Sequence, residues 1–175
     1  RYWGWYSTSV QVAILLIAPL LMLGSTAWIQ NKDTSGYFAK LAAMVTFACF
    51  VLNITMLGQI FNITPSDKAL LPWAALAFLL AYACELRLLQ VAGILCLIAF
   101  VSARTGTWSG MYWLDFGERP ENFFPAAALL FTFPQIIRHQ RFAGFPAIYR
   151  IFGLLTLFLP MLVLANWGNI SYSEL

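Results

Sequence analysis

An all-α, polytopic transmembrane helical bundle of about six spans is the fold this sequence predicts, and three observations carry that reading. The residues are 61% hydrophobic and only 10% charged. The mean hydropathy is +0.76. The apolar residues also come in runs close to the roughly 20 residues of one helical crossing, separated by short polar gaps. A soluble domain is about half apolar and a quarter charged, so lipid rather than water is the main solvent here. In 175 residues the spans leave no room for a separate soluble domain, and 1–175 reads as a single transmembrane domain.

The first span is expected over about 8–29. It opens after the aromatic cluster Tyr2, Trp3, Trp5 and Tyr6 and closes at the polar stretch from Gln30 to Gly36, which reads as a turn. A segment this long and apolar, with no small-residue cleavage site before a soluble domain, is a retained span rather than a signal peptide. The chain starts at Arg1 without methionine, which suggests a fragment of a longer precursor. A second span over 37–61 ends at Asn62-Ile63-Thr64-Pro65, where Ser66 or Asp67 can cap the helix that follows. The third span, 69–84, tolerates Pro72 in its first turns.

Only Glu85-Leu86-Arg87 parts the third span from the fourth, 88–102, and no glycine or proline marks the break. One uninterrupted helix of about 35 residues would reach about 52 Å, against a hydrocarbon core of about 30 Å, so two helices fit better. The polar segment from Arg104 to Asn122 belongs on the membrane surface. A short fifth span, 123–137, carries Pro134 near its end and gives way to Arg138-His139-Gln140-Arg141. The sixth span covers 145–167.

Ten basic and seven acidic residues are scattered in ones and twos, without the basic run of a nucleic-acid-binding protein. Alternating spans place Lys32, Lys40, Arg87, Arg138, Arg141 and Arg150 on one side and Arg1, Lys68, Arg104 and Arg119 on the other. The richer side is expected to be cytoplasmic. Six of the seven tryptophans fall on the opposite side, leaving Trp28 alone with the basic residues.

Chemistry is harder to find. Cys49, Cys84 and Cys96 lie in apolar runs without CxxC spacing, as small packing residues do. His139 is the only histidine and has no acidic cluster nearby, so it makes a poor metal ligand. Asp115, Glu118 and Glu121 read as a solvated loop ahead of a cation site. Glu85 and Arg87 read as snorkelling anchors, as does Arg150. The matches to Asn-x-Ser/Thr at Asn53, Asn62 and Asn169 are short enough to arise by chance. No cofactor motif and no catalytic constellation is present.

The informative stretch is Asn53 to Asn62, because amides inside a span are costly unless they find partners. At 100° per residue Thr55, Gln59 and Asn62 share one face, and Thr46 and Asn53 the roughly opposite one. Two readings stand: interhelical polar packing, with Gly58 allowing close approach, or a substrate or ion pathway lined by Asn53, Thr55, Gln59 and Asn62. Hydrogen bonding on two sides would make this helix central in the bundle.

The segment from Phe47 through Ala103 is similar to a family of predicted bacterial membrane proteins, domain-of-unknown-function family 2157. The matching features are Leu57-Gly58-Gln59-Ile60-Phe61-Asn62-Ile63 closing one span, Leu70-Leu71-Pro72-Trp73-Ala74 opening the next, and Glu85-Leu86-Arg87 before another. The resemblance implies a bacterial inner (plasma) membrane location and an additional span and soluble segment ahead of Arg1, and it brings no activity. The expectation is therefore a non-catalytic structural or accessory subunit of a larger membrane complex, with the lipid bilayer and other membrane subunits as partners. Pigment binding is one variant of that role, and a small transporter or channel is the alternative.

Overall fold

The computed structural model describes residues 6–63, 67–104, 123–136, 142 and 144–171, with residues 166–171 described as backbone alone. The described residues form six α-helices: α1 (Thr8–Lys32), α2 (Tyr37–Ile60), α3 (Leu70–Cys84, entered through a 3-10 turn Asp67–Ala69), α4 (Arg87–Arg104), α5 (Phe124–Ile136) and α6 (Phe145–Ser171). Five of them are long and apolar enough to cross a membrane: α1, α2, α3 with its 3-10 turn, α4 and α6. The chain is an all-α, multi-pass integral membrane protein. In lipid the backbone must satisfy its own hydrogen bonds, and a helix is how a single segment does so.

The expected fifth span, 123–137, is the exception. α5 has 13 residues, which rise about 20 Å, short of a core of about 30 Å. Its residue Ile137, the surface segment 105–122 and the turn containing Arg138, His139 and Arg141 lie outside the described residues, as do Asp115, Glu118 and Glu121.

α1 also runs further than expected. Gln30, Asn31 and Lys32 are its last turn rather than a loop. A cation in the last turn faces the negative end of the helix dipole, and the Lys32 ammonium also sits 4.4 Å from the centroid of Trp28, one turn back. Gln30 Nε2 donates to the Ala83 carbonyl at 2.6 Å.

The chain forms two compact units, Arg1–Leu89 and Gln90–Leu175. In the first, α2 packs against both α1 and α3. Ala39, Ala43, Thr46 and Asn53 are the buried residues of α2, and Leu70, Ala74, Ala77, Ala81 and Cys84 are among those of α3. Steps of three and four put each set on one helical stripe. Small residues on such stripes let backbones approach, and this is how helices associate where lipid removes the hydrophobic drive.

The α1–α2 turn is held by Asp33. Its Oδ1 accepts from the Ser35 amide at 3.0 Å and the Ser35 hydroxyl at 2.7 Å. Its Oδ2 accepts from the Ala39 amide at 3.1 Å, in the first turn of α2. Gly36, at φ +68°, supplies the left-handed residue the tight turn needs. The Ser35 hydroxyl, joined by the Ala39, Ser35 and Phe38 amides, outweighs burial and holds the Asp33 carboxyl below its ordinary value.

α2 and α3 stop in the same way. Ile63 N–H reaches back to the Gly58 carbonyl at 2.8 Å, and Leu86 N–H to the Ala81 carbonyl at 2.9 Å. The residues just before them, Asn62 and Glu85, are left-handed at φ +51° and +52°. These are Schellman closures with an apolar residue at the outermost position. The α3–α4 break, which has no glycine or proline, is therefore made at Glu85 by hydrogen bonding, against a steric cost for a residue with a Cβ.

In the second unit α5 packs against α6. The stripe Phe145, Tyr149, Gly153, Thr156, Pro160 is buried along α6. A Cβ on Gly153 would lie 3.3 Å from Phe131 Cδ2, 3.4 Å from the Phe131 amide nitrogen and 3.5 Å from the Ala127 carbonyl oxygen, so this glycine sets the distance between the two helices. Prolines interrupt three helices internally: Pro19 in α1, Pro134 in α5 and Pro160 in α6.

Candidate functional site

The polar residues of α2 divide between two environments. Thr46 and Asn53 are buried, while Thr55, Gln59 and Asn62 are exposed. The opposition of the two faces follows the 100° spacing: Thr46 and Asn53 lie on a packed face of α2, which has both α1 and α3 as neighbours, and Thr55, Gln59 and Asn62 on an exposed one. Thr55 turns its hydroxyl onto its own helix, donating to the Val51 carbonyl at 2.9 Å. Asn62 is a helix terminator, one of the few non-glycine types that enter the left-handed region readily. Asn53 thus lies on a different face of α2 from Thr55, Gln59 and Asn62.

Gly58 does not serve close helix approach either. A Cβ there would meet only the Ile63 carbonyl oxygen, at 3.9 Å, which is ordinary contact. Its carbonyl matters more, as the acceptor that closes α2.

Asn53 is the demanding member of the set. Its Nδ2 donates to the Cys49 carbonyl at 2.6 Å, while Oδ1 is buried without a partner. One face of the amide is therefore satisfied inside its own helix and the other is not. An unpaired buried carbonyl costs about 1–3 kcal/mol. Two helical turns earlier, on the same stripe, Thr46 shares a hydrogen-bonded knot with Thr26 of α1. The two hydroxyl oxygens lie 2.8 Å apart, and both reach the Met22 carbonyl, at 2.9 Å from Thr26 and 3.2 Å from Thr46.

Gln90 of α4 repeats the Asn53 pattern in the second unit. It is fully buried, its Nε2 donates to the Phe145 carbonyl at 3.1 Å, and Oε1 has no partner. Sequence reasoning passed over Thr26, Gln90 and Gly153. A lone amide three residues into an apolar run was a usable signal for Gln90. Thr26 gave none, since a threonine can satisfy its hydroxyl on the carbonyl four residues back.

Cys84 is buried, and Cys49 and Cys96 are partly so; all three are free thiols. Glu85, Arg87 and Arg150 are exposed. Among the described residues no three His, Cys, Asp or Glu side chains gather as a metal site requires. Comparison with known proteins adds nothing to this chemistry: no family model, no curated protein and no solved structure matches the chain.

Proposed function

We propose that this chain is a non-catalytic structural or accessory subunit of a larger bacterial membrane assembly. The observation that carries the reading is the state of α1. Of its 25 residues only Leu15 and Thr26 are buried, while Leu16, Ile17, Leu20, Leu21 and Trp28 are all more than half exposed. Such a helix keeps one broad face, beyond its contact with α2, for lipid tails or for helices of other subunits. The bacterial setting is part of the proposal and rests on the resemblance of 47–103 to family 2157 alone, which brings no activity.

The test is purification in mild detergent from native membranes, with mass spectrometry of what elutes. A defined set of stoichiometric partners is expected. Elution as a monomer with no partner would sink the accessory role.

A second reading, a small transporter or channel, is favoured by one atom. Asn53 Oδ1 is a buried acceptor inside a span with nothing to accept from, and unpaired polar groups at that depth are costly. On this reading Asn53→Leu abolishes flux in reconstituted vesicles. On the accessory reading it leaves the assembly intact and raises thermal stability by about 1 kcal/mol, because an apolar replacement removes the unsatisfied group.

A further inference from the structure

One end of the first unit concentrates positive charge. The α1–α2 turn places Lys32, in the last turn of α1, and Lys40, in the first turns of α2, at the same level. The hydrogen bond from Gln30 Nε2 to the Ala83 carbonyl brings the end of α3 to that level too. Lys40 is within electrostatic reach of Cys84, the last residue of α3, and Arg87 follows three residues later at the start of α4. Lys32, Lys40 and Arg87 are all exposed.

The acids at this end are Asp33 and Glu85. The Asp33 carboxylate is oriented by the Ser35 hydroxyl and the amides of Ser35 and Ala39, and three cations against two carboxylates leave this end net positive by one.

The surroundings select the ligand. Trp28, Tyr37 and Phe38 are more than half exposed around the same turn, and aromatic rings of this kind lie at headgroup level. Deeper along α2, Leu41, Met44 and Val45 are exposed too, continuing the charged end into an apolar wall. Cations, an aromatic belt and an apolar wall in that order match a phosphate headgroup above its acyl chains. A soluble anion would use the first of these alone.

We propose that the Lys32–Lys40–Arg87 end of the first unit holds an anionic phospholipid, its phosphate among the cations and its chains along α2. Basic pockets at helix ends bind anionic headgroups in this way. The inference rests on the membrane crossing of α1 and α2 and is independent of the accessory role.

To test it, the full chain is reconstituted in vesicles of phosphatidylcholine with phosphatidylglycerol and extracted gently, and the retained lipids are counted by native mass spectrometry. The wild type is expected to retain phosphatidylglycerol in preference to phosphatidylcholine. The Lys32→Gln/Lys40→Gln variant should retain it about fivefold more weakly for each cation removed, and raised salt should weaken the wild type in the same direction. Lys68→Gln, at the far end of α3, should leave retention unchanged. Equal retention by the double variant, equal loss in Lys68→Gln, or full displacement by inorganic phosphate would each overturn the proposal.

Discussion

The hydroxyl oxygens of Thr26 and Thr46 lie 2.8 Å apart across the α1–α2 contact, and both also reach the Met22 carbonyl. Two hydrogens serve three contacts. If Thr26 donates to Met22, Thr46 donates across the contact to Thr26 or to the same carbonyl. If Thr26 donates to Thr46, then Thr46 donates to Met22. In either arrangement at least one hydrogen joins the two helices.

Thr46→Val removes that bridge while keeping the shape, and Thr26 still has the Met22 carbonyl. The expected loss is therefore modest, about 0.6–1 kcal/mol in a membrane interior. Thr26→Val alone leaves Thr46 with Met22. Two hydrogens make two bonds in the wild type, one in each single variant and none in the double, so the double variant should cost about the sum of the two single ones, which a double-mutant cycle in denaturant measures directly. A double variant costing clearly less than the sum would show that the two hydroxyls share a single interaction.

Gly153→Ala should destabilise the second unit by about 1–3 kcal/mol, the range for overpacking a close contact. Two of the atoms it meets, the Phe131 nitrogen and the Ala127 oxygen, are backbone and cannot swing aside. Gly24→Ala, with nothing within 4 Å of the added carbon, should be neutral or stabilising by up to about 1 kcal/mol through helix propensity. Thermal denaturation of the two variants side by side checks the contrast in sign.

Glu85→Gly should raise stability, since glycine enters the left-handed region without the steric cost of a Cβ, roughly 1 kcal/mol, partly offset by its greater freedom when unfolded. Asn62→Gly should change little, because asparagine already tolerates the same conformation. A drop in melting temperature for Glu85→Gly would mean that the Glu85 side chain contributes more than its backbone costs.

Acid should loosen the α1–α2 turn. The Asp33 carboxyl is held below its ordinary value of 3.8 by its hydrogen bonds. Its contribution is thus complete above that value and is lost as the pH falls through the lower, folded-state one. The melting temperature of the wild type should fall with acidification below about pH 4, and Asp33→Asn, lower throughout, should fall less steeply. Parallel slopes would remove Asp33 from the acid response.

The spans were legible in the sequence because lipid imposes a length and an apolar composition on a helix, and these survive any detail of packing. The α2 and α3 boundaries fall within a residue of expectation for that reason. Where a helix ends on hydrogen bonds, composition says less: the polar Gln30-Asn31-Lys32 reads as a turn but is helical, tied by Gln30 to Ala83. Periodicity separated Thr46 and Asn53 from Thr55 and Gln59, yet it could not say which face packs, since that depends on α1 and α3. Glycine was misleading in the same way. Gly58 and Gly153 look alike in an apolar run, and only the neighbour across the contact distinguishes a helix end from a tight crossing.

The prolines inside α1, α5 and α6 have a mechanical meaning. Each lacks an amide hydrogen, so the carbonyls four residues earlier, those of Leu15, Leu130 and Thr156, lose their usual helical donor. A rod with a missing strut is compliant at that level and stiff elsewhere. In the first unit this sets a jointed helix, α1, beside an uninterrupted one, α2, with the Thr26–Thr46 pin joining them seven residues beyond the Pro19 joint. The portion of α1 before Pro19, where Leu15 is the one buried residue, then bends at that joint more easily than the portion pinned to α2 at Thr26.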